Sequence, residues 1–295
     1  MKKFRGSYVA LITPFKKGKV DFKALQKLVR FHVDSGTDGI VPCGTTGESP
    51  TLSHAEHKDV IAAVVEAAAR RIPVIAGAGS NSTDEAVELS VFAKKAGADA
   101  VLSVVPYYNK PTQDGMYAHF KTIAAKADIP VVLYNIPGRC GVSMTPKTVA
   151  RLSAIPQIVA IKESTGSMDQ TSEILEQCDI TVLSGDDSLT LPLMSLGATG
   201  VISVFANLYP RDLSRMVGAF LEGNLGLAQE LHYRIFTLCR SLFIETNPIP
   251  VKAAMKMLKM DTGEVRLPLC AMRPENEAAL RKAVTAYAAS AKAGV

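Results

Sequence analysis

The chain contains eight short, continuously apolar runs rich in β-branched residues, and the longer segments between them carry helical patterns. The runs begin about 28 residues apart on average, close to the roughly 30 residues per unit of a (β/α)8 barrel. Continuous apolar runs are typical of strands buried on both faces of a parallel sheet. The predicted strands are residues 8–12, 39–42, 74–76, 100–105, 131–134, 159–161, 181–183 and 201–204.

Helix start signals lie between these runs. Ser53 and Glu56 have the spacing of a capping box, and Thr145 places a capping hydroxyl directly before Pro146. Strand and helix alternating eight times predict an α/β fold, a closed (β/α)8 TIM barrel.

The segment after the last predicted strand contains only helical patterns. Residues 211–221 are expected to form the eighth helix of the barrel, and residues 225–243, 250–258 and 274–292 three further helices. We therefore predict a barrel catalytic domain at 1–224 and a C-terminal helical domain at 225–295, packed on the outside of the barrel as an appendix.

Composition excludes several classes of protein. The 295 residues are 47% hydrophobic and 21% charged, which is ordinary for a globular chain. The net charge of +5 is not clustered in basic runs, so we expect no nucleic-acid partner. The longest uncharged stretch, 188–210, contains Pro192, Gly197 and Asn207, which indicate buried helix, turn and strand and no membrane span.

The cysteines indicate a reducing compartment. There are five, an odd number, with long gaps and no C-x-x-C motif, so neither a disulfide framework nor a structural zinc site is expected. Reduced thiols and the absence of a signal-peptide pattern favour a cytoplasmic location.

Lys162 is the most unusual residue at the predicted strand ends. In a TIM barrel the active site lies at the carboxyl ends of the strands, and Lys162 directly follows the apolar run at 159–161. A lysine kept from water can act as an amine nucleophile and form a Schiff base with a carbonyl substrate. The ordinary alternative is a lysine whose stem snorkels to solvent, and from this residue alone it is the favoured one.

Neighbouring strand ends add three further candidates. Tyr134 could move protons during imine formation, and Arg139 could hold a carboxylate with two hydrogen bonds. The loop 44–47 could present backbone amides and the Thr45 and Thr46 hydroxyls to an anion. A core tyrosine, a surface arginine and a plain turn are the ordinary alternatives.

Other polar pairs are weaker candidates. His54 and His57 lie three residues apart at a helix start, but no third ligand is evident, so no metal is expected. Asp186 and Asp187 are adjacent at a strand end and should face apart. Cys43 and Cys140 lack a histidine partner nearby in the sequence and are expected to be inert.

Four motifs together resemble the dihydrodipicolinate synthase family, within the pyruvate-dependent class I aldolases that include N-acetylneuraminate lyase. They are G-T-T-G-E at 44–48, Y-N-I-P-G-R-C-G at 134–141, I-K-E-S-T-G at 161–166 and N-P-I-P-V-K at 247–252. The resemblance runs in order over nearly the whole chain. It implies a lyase of lysine and diaminopimelate biosynthesis that condenses pyruvate with L-aspartate-4-semialdehyde to give 4-hydroxy-tetrahydrodipicolinate.

The resemblance also implies roles for individual residues. Lys162 would form the imine with pyruvate, and Tyr134 would relay protons with Thr45 and with Tyr108 from a neighbouring subunit. The Thr45 and Thr46 amides would hold the pyruvate carboxylate, Arg139 the carboxylate of the semialdehyde, and the backbone near Ile202 would line the pyruvate pocket. No cofactor is implied, and the usual assembly of the family is a homotetramer, a dimer of dimers.

Many members of the family are inhibited by lysine at the dimer interface. The positions that match this allosteric site are Ser49, Pro50, His54, His57, Asn81, Glu85 and Tyr107. Pro50 replaces a smaller residue expected there, and Cys140 and Phe205 are lesser departures from the pattern.

Two alternatives stay open. A different aldolase of the superfamily would cleave a sialic or 2-keto-3-deoxy sugar acid, although Arg139 and Thr45 argue against it. A catalytically silent barrel could instead bind lysine or a keto acid as a sensor, although the set of Lys162, Tyr134, Thr45 and Tyr108 argues against that.

Overall fold

The computed structural model describes residues 4–292, and its core is a closed barrel of eight parallel strands, which confirms the predicted fold class. The barrel strands are β1 (Gly6–Ala10), β4 (Gly39–Val41), β5 (Ile75–Gly77), β6 (Ala100–Val104), β7 (Val131–Asn135), β8 (Ile158–Glu163), β9 (Thr181–Ser184) and β10 (Gly200–Ser203). Hydrogen-bonded strands follow the order β4-β1-β10-β9-β8-β7-β6-β5, and a bridge between Ile40 and Val74 joins the two ends of this series.

The first strand differs from its predicted bounds of 8–12. It begins at Gly6 and ends at Ala10. Beyond it, the Leu11 amide still donates to the Val41 carbonyl at 3.0 Å, and the Ile12 amide donates to Asn207 Oδ1 at 3.2 Å. A small hairpin of β2 (Phe15–Lys16) and β3 (Lys19–Val20) follows, and no apolar run predicted it.

Helices surround the barrel, and their starts follow the sequence signals. Ser53 Oγ accepts a hydrogen bond from the Glu56 amide and Glu56 Oε2 accepts one from the Ser53 amide, so the capping box is present. The Thr145 hydroxyl caps the helix that begins at Pro146. The helices are α1 (Phe22–Asp34), α2 (His54–Ala68), α3 (Thr83–Ala96), α4 (Gln113–Ala127), α5 (Pro137–Cys140), α6 (Pro146–Ser153), α7 (Met168–Gln177), α8 (Thr190–Ser195), α9 (Pro210–Leu221), α10 (Leu225–Ser241), α11 (Ile249–Met257) and α12 (Pro274–Lys292).

The barrel interior is built from alternate residues of each strand, since successive side chains of a strand point to opposite faces. Val132 and Tyr134 of β7, Ala160 of β8, Leu183 of β9 and Ile202 of β10 belong to one buried cluster. Lys162 lies two residues beyond Ala160 on β8 and therefore shares the inner face, at the carboxyl end of the barrel.

The C-terminal helices α10, α11 and α12 pack on the barrel and on one another, close to the predicted helical segments. The Tyr287 hydroxyl donates to Asp212 Oδ2 at 2.6 Å and ties α12 to α9. The division into domains at 224/225 stays a prediction. Across residues 4–292, no helix combines the length and apolarity that crossing a membrane requires.

Candidate active site

Lys162 lies in a buried position at the carboxyl end of β8. It pairs in register with Tyr134 of β7, and its side chain is only 6% exposed. Lys162 Nζ is 4.2 Å from the centroid of the Tyr134 ring, so the structure brings together two of the residues predicted for the site. The buried amine beside a tyrosine is an arrangement suited to imine chemistry.

Gly185 leaves the room that the Lys162 side chain occupies. A Cβ atom at position 185 would lie 2.8 Å from Lys162 Cε and 3.1 Å from Lys162 Cγ. It would also collide with the Ser164 hydroxyl. The glycine that follows β9 therefore leaves the space in which the Lys162 and Ser164 side chains lie.

The loop after β4 carries the two threonines. Thr46 is buried and Thr45 is half-buried, and the loop closes on itself because the Glu48 amide donates to the Thr45 carbonyl at 3.1 Å. Gly47 is packed too closely against the Cys43 backbone to accept a side chain, since a Cβ atom there would lie 2.9 Å from the Cys43 nitrogen. This compact turn fixes the backbone amides that, on the sequence, could face an anion.

Arg139 lies in the single helical turn α5 and is joined to the threonine loop through Asn247. Arg139 Nη2 donates to the Asn247 carbonyl at 2.9 Å, and Asn247 Nδ2 donates to Thr46 Oγ1 at 3.0 Å. The sequence marked Asn247 only as part of a motif and gave it no role.

A buried ion pair lies beneath the threonine loop and was missed by sequence reasoning. Lys252 Nζ donates to Glu48 Oε1 at 2.7 Å and to the Thr13 carbonyl at 2.8 Å, and both charged side chains are fully buried. Burial lowers the pKa of the Lys252 ammonium, and the Glu48 carboxylate opposes that shift. The one available signal was a lysine among the apolar residues of the predicted helix 250–258.

The loop after β10, next to Ile202, depends on Asp187. Asp187 Oδ2 accepts hydrogen bonds from the Val204 amide at 3.0 Å and the Phe205 amide at 2.9 Å. Burial raises the pKa of Asp187 to about 6. Asp186 instead caps the following turn at the Ser188 amide, so the two carboxylates act separately, consistent with the expectation that they face apart.

Tyr108 is the one predicted catalytic residue that does not pack within its own chain. Its side chain is 89% exposed, and its backbone φ is +70°, in the left-handed region that non-glycine residues seldom adopt. A large aromatic held outward in this way is a candidate for contact with another subunit.

A small cavity is lined by most of the residues that were predicted to bind lysine as an inhibitor. It has a volume of about 180 Å³, and its lining includes Ser49, Pro50, His54, His57, Glu85 and Tyr107. Asn81 is not among the lining residues, and its carbonyl accepts from Asn109 Nδ2 at 2.9 Å.

Glu85 is the carboxylate of this small cavity. His54 Nε2 lies 2.8 Å from Glu85 Oε1, and the Ser80 hydroxyl donates to Glu85 Oε2. His57 Nε2 lies 2.7 Å from the Gly77 carbonyl, and burial lowers the pKa of His57. A larger cavity of about 810 Å³ lies at the opposite, amino-terminal end of the strands and contains none of the predicted site residues.

Cys43 and Cys140 are both buried. All five cysteines are free, and burial raises the pKa of Cys43 and raises that of Cys140 to about 11, so both are protonated at neutral pH. In the part of the chain from 4 to 292, no group of three or more histidine, cysteine or acidic side chains is arranged to hold a metal ion.

Comparisons with known proteins by sequence and by structure identify the same group of relatives. The family model described as the dihydrodipicolinate synthetase family matches residues 3–287. A protein of Aquifex aeolicus named 4-hydroxy-tetrahydrodipicolinate synthase is 56% identical over 287 residues, covering 96% of this chain and 98% of its own. A crystal structure of dihydrodipicolinate synthase from the same organism superposes with a TM-score of 0.95 at 56% identity, over 96% of this chain and 98% of that one.

Two further solved structures are similar and carry small molecules. The dihydrodipicolinate synthase of Acinetobacter baumannii, complexed with pyruvate, has a TM-score of 0.94 at 45% identity and covers 96% of this chain and 99% of that one. The enzyme of Cyanidioschyzon merolae, with lysine bound, has a TM-score of 0.94 at 44% identity and covers 97% and 99%.

Proposed function

Because this chain belongs to the dihydrodipicolinate synthetase family, we propose that it condenses pyruvate with L-aspartate-4-semialdehyde to give 4-hydroxy-tetrahydrodipicolinate. The observation that carries the proposal is the buried amine of Lys162, 4.2 Å from the Tyr134 ring at the carboxyl end of the barrel. This is the position where TIM barrels perform their chemistry.

The reaction begins with the neutral Lys162 amine. Its lone pair attacks the ketone carbon of pyruvate, and loss of water from the adduct leaves an iminium ion, with Tyr134 relaying the protons. The iminium accepts the electron pair released when a proton leaves the pyruvate methyl group. The resulting enamine attacks the aldehyde carbon of the second substrate, whose oxygen takes up a proton and becomes the hydroxyl of the product. The substrate amine then adds to the former ketone carbon, and the bond from this carbon to the Lys162 nitrogen breaks. A C=N bond to the substrate nitrogen remains, with loss of a proton, and Lys162 leaves as the free amine.

Two anion sites hold the substrates during these steps. The Thr45 and Thr46 amides bind the pyruvate carboxylate at the compact loop after β4, with Ile202 lining the pocket. Arg139 binds the carboxylate of the semialdehyde, since a guanidinium matches a carboxylate with two parallel hydrogen bonds. The Arg139 contact with the Asn247 carbonyl supports this assignment by fixing the guanidinium.

A coupled assay tests the proposed reaction against its alternatives. The purified chain is incubated with pyruvate and aspartate semialdehyde, and in parallel with a sialic acid and a 2-keto-3-deoxy sugar acid. We expect turnover of the first pair alone. Turnover of a sugar acid only would assign the chain to a different aldolase, and lysine binding without any turnover would make it a sensor.

We further propose that the catalytic unit is a dimer, within a homotetramer, in which Tyr108 enters the partner's site. The exposure of Tyr108 and its left-handed backbone support this assignment. Tyr108 would then join the proton relay of Tyr134 and Thr45 across the interface.

Mixing two inactive variants tests the exchange of Tyr108. Tyr108→Ala and Lys162→Ala chains, each inactive alone, are unfolded together and refolded at equal concentrations. A hybrid dimer restores one complete site, so the mixture should regain about one quarter of the native activity. Activity that stays at background in the mixture, with dimers present by light scattering, would contradict the exchange.

The 180 Å³ cavity is proposed as an inhibitory lysine site. The Glu85 carboxylate would bind the α-amine of lysine, and His54 and His57 lie beside it. The related enzyme with lysine bound supports this assignment.

Replacing Glu85 tests the lysine site. In Glu85→Gln, loss of the charged acceptor should raise the lysine concentration for half inhibition by about 10-fold or more, with kcat in the absence of lysine changed by less than about 2-fold. Glu88→Gln is the matched control on the same helix. The Glu88 carboxylate lies 2.6 Å from Lys58 Nζ, and Glu88 does not line the cavity. Equal inhibition curves for both variants would rule out Glu85 as the ligand.

A further inference from the structure

Asn247 contacts both carboxylate sites of the proposed reaction. It lies in the segment between α10 and α11 and is 5% exposed. Its side chain donates to Thr46 Oγ1 at 3.0 Å, and its backbone carbonyl accepts from Arg139 Nη2 at 2.9 Å. One residue from outside the barrel strands therefore joins the element assigned to pyruvate to the element assigned to the second substrate.

The direction of the side-chain bond has a chemical consequence for Thr46. A threonine hydroxyl has one hydrogen to donate and two lone pairs to accept. Because Thr46 Oγ1 accepts from the Asn247 amide, its own hydrogen remains available to donate. A bound carboxylate requires a hydrogen-bond donor, since an ionised carboxylate only accepts hydrogen bonds.

The position of Asn247 is itself fixed from two sides. The Arg139 guanidinium holds its carbonyl, and α11, which begins two residues later, is tied to the threonine loop by the bond from Lys252 to Glu48. The threonine loop thus contacts the segment 247–252 at two points, Thr46 with Asn247 and Glu48 with Lys252. The donor on Asn247 therefore meets Thr46 in one fixed geometry.

We propose that Asn247 is a positioning residue that orients the Thr46 hydroxyl as a donor to the pyruvate carboxylate, while its backbone anchors Arg139 for the second substrate. The inference rests on the proposed function. The side chain and the backbone of Asn247 have different roles that can be tested apart. Replacing the side chain removes the bond to Thr46 and leaves the backbone contact with Arg139 in place.

Kinetics with each substrate varied in turn test this separation. In Asn247→Ala, KM for pyruvate should rise about 5- to 10-fold, the worth of one hydrogen bond, and KM for aspartate semialdehyde should change by less than about 2-fold. Asn247→Asp places a negative charge beside the pyruvate carboxylate and should raise KM for pyruvate further, by more than about 10-fold. Thr46→Val combined with Asn247→Ala should be no worse than Thr46→Val alone.

A control separates positioning from general loss of stability. Asn276→Ala removes a comparable amide bond, from Asn276 Nδ2 to Glu245 Oε1 at 2.8 Å in the same C-terminal segment, and should leave KM for pyruvate unchanged. An Asn247→Ala variant with lowered Tm and unchanged KM for pyruvate, or additive effects with Thr46→Val, would overturn this inference alone. No turnover by the unmodified chain would overturn the proposed function and this inference with it.

Discussion

Lys162→Ala is expected to lower kcat by on the order of 10⁴-fold or more, because no other group replaces the nucleophile of a covalent mechanism. The same change should abolish the covalent trapping of pyruvate by borohydride. The unmodified chain, treated with pyruvate and borohydride, should gain one reduced pyruvate adduct per subunit, and peptide mass mapping should place it on Lys162. The side chain is buried among inner-face residues, so the stability of the variant is followed by its Tm.

Lys147→Ala is the control for this experiment. Lys147 is exposed on α6, so its loss should leave both turnover and the adduct unchanged. An adduct that persists in Lys162→Ala, or that maps to another lysine of the unmodified chain, would contradict the Schiff-base assignment.

Lys252→Met is expected to lower the free energy of unfolding by about 3–5 kcal/mol, because it leaves the Glu48 carboxylate buried and without its partner. Glu48→Met combined with Lys252→Met should recover part of this loss, since neither charge then remains buried. The measurement is urea unfolding at one fixed subunit concentration, because association adds to the apparent stability.

A surface pair provides the comparison. Arg281 and Glu277 lie 2.8 Å apart on α12 but are largely exposed, so Arg281→Met should change the free energy of unfolding by less than about 1 kcal/mol. A loss in Lys252→Met no greater than that of Arg281→Met would show that the buried pair is not important for stability.

The barrel was predictable because its strands leave a local signal. Each is a short apolar run buried on both faces, and the capping signals at Ser53 and Thr145 mark helices between them. The hairpin formed by β2 and β3 has strands of only two residues each, too short to produce such a pattern. The family resemblance read from the motifs is confirmed by the match over residues 3–287.

Contacts within the candidate site could be predicted from the strand pattern only where strand ends bring residues together. Lys162 and Tyr134 sit at the ends of adjacent strands, so their proximity follows from the parallel sheet. The partners of Glu48 and Thr46 come from residues more than 200 positions away, in a segment whose helices were predictable but whose contacts were not. Hydrogen bonds of that sequence separation depend on the packing of the whole barrel.

The bond between Glu48 and Lys252 also sets the earliest time at which the threonine loop can gain all its contacts during protein synthesis. The two residues are 204 positions apart, so at about 5–20 residues per second the ribosome delivers Lys252 on the order of 10–40 s after Glu48. Until then the carboxylate beneath the threonine loop lacks its cation. A nascent chain that has released all eight barrel strands but not α11 therefore still lacks the cation of this pair, and chains stalled before α11 should expose Glu48 to solvent.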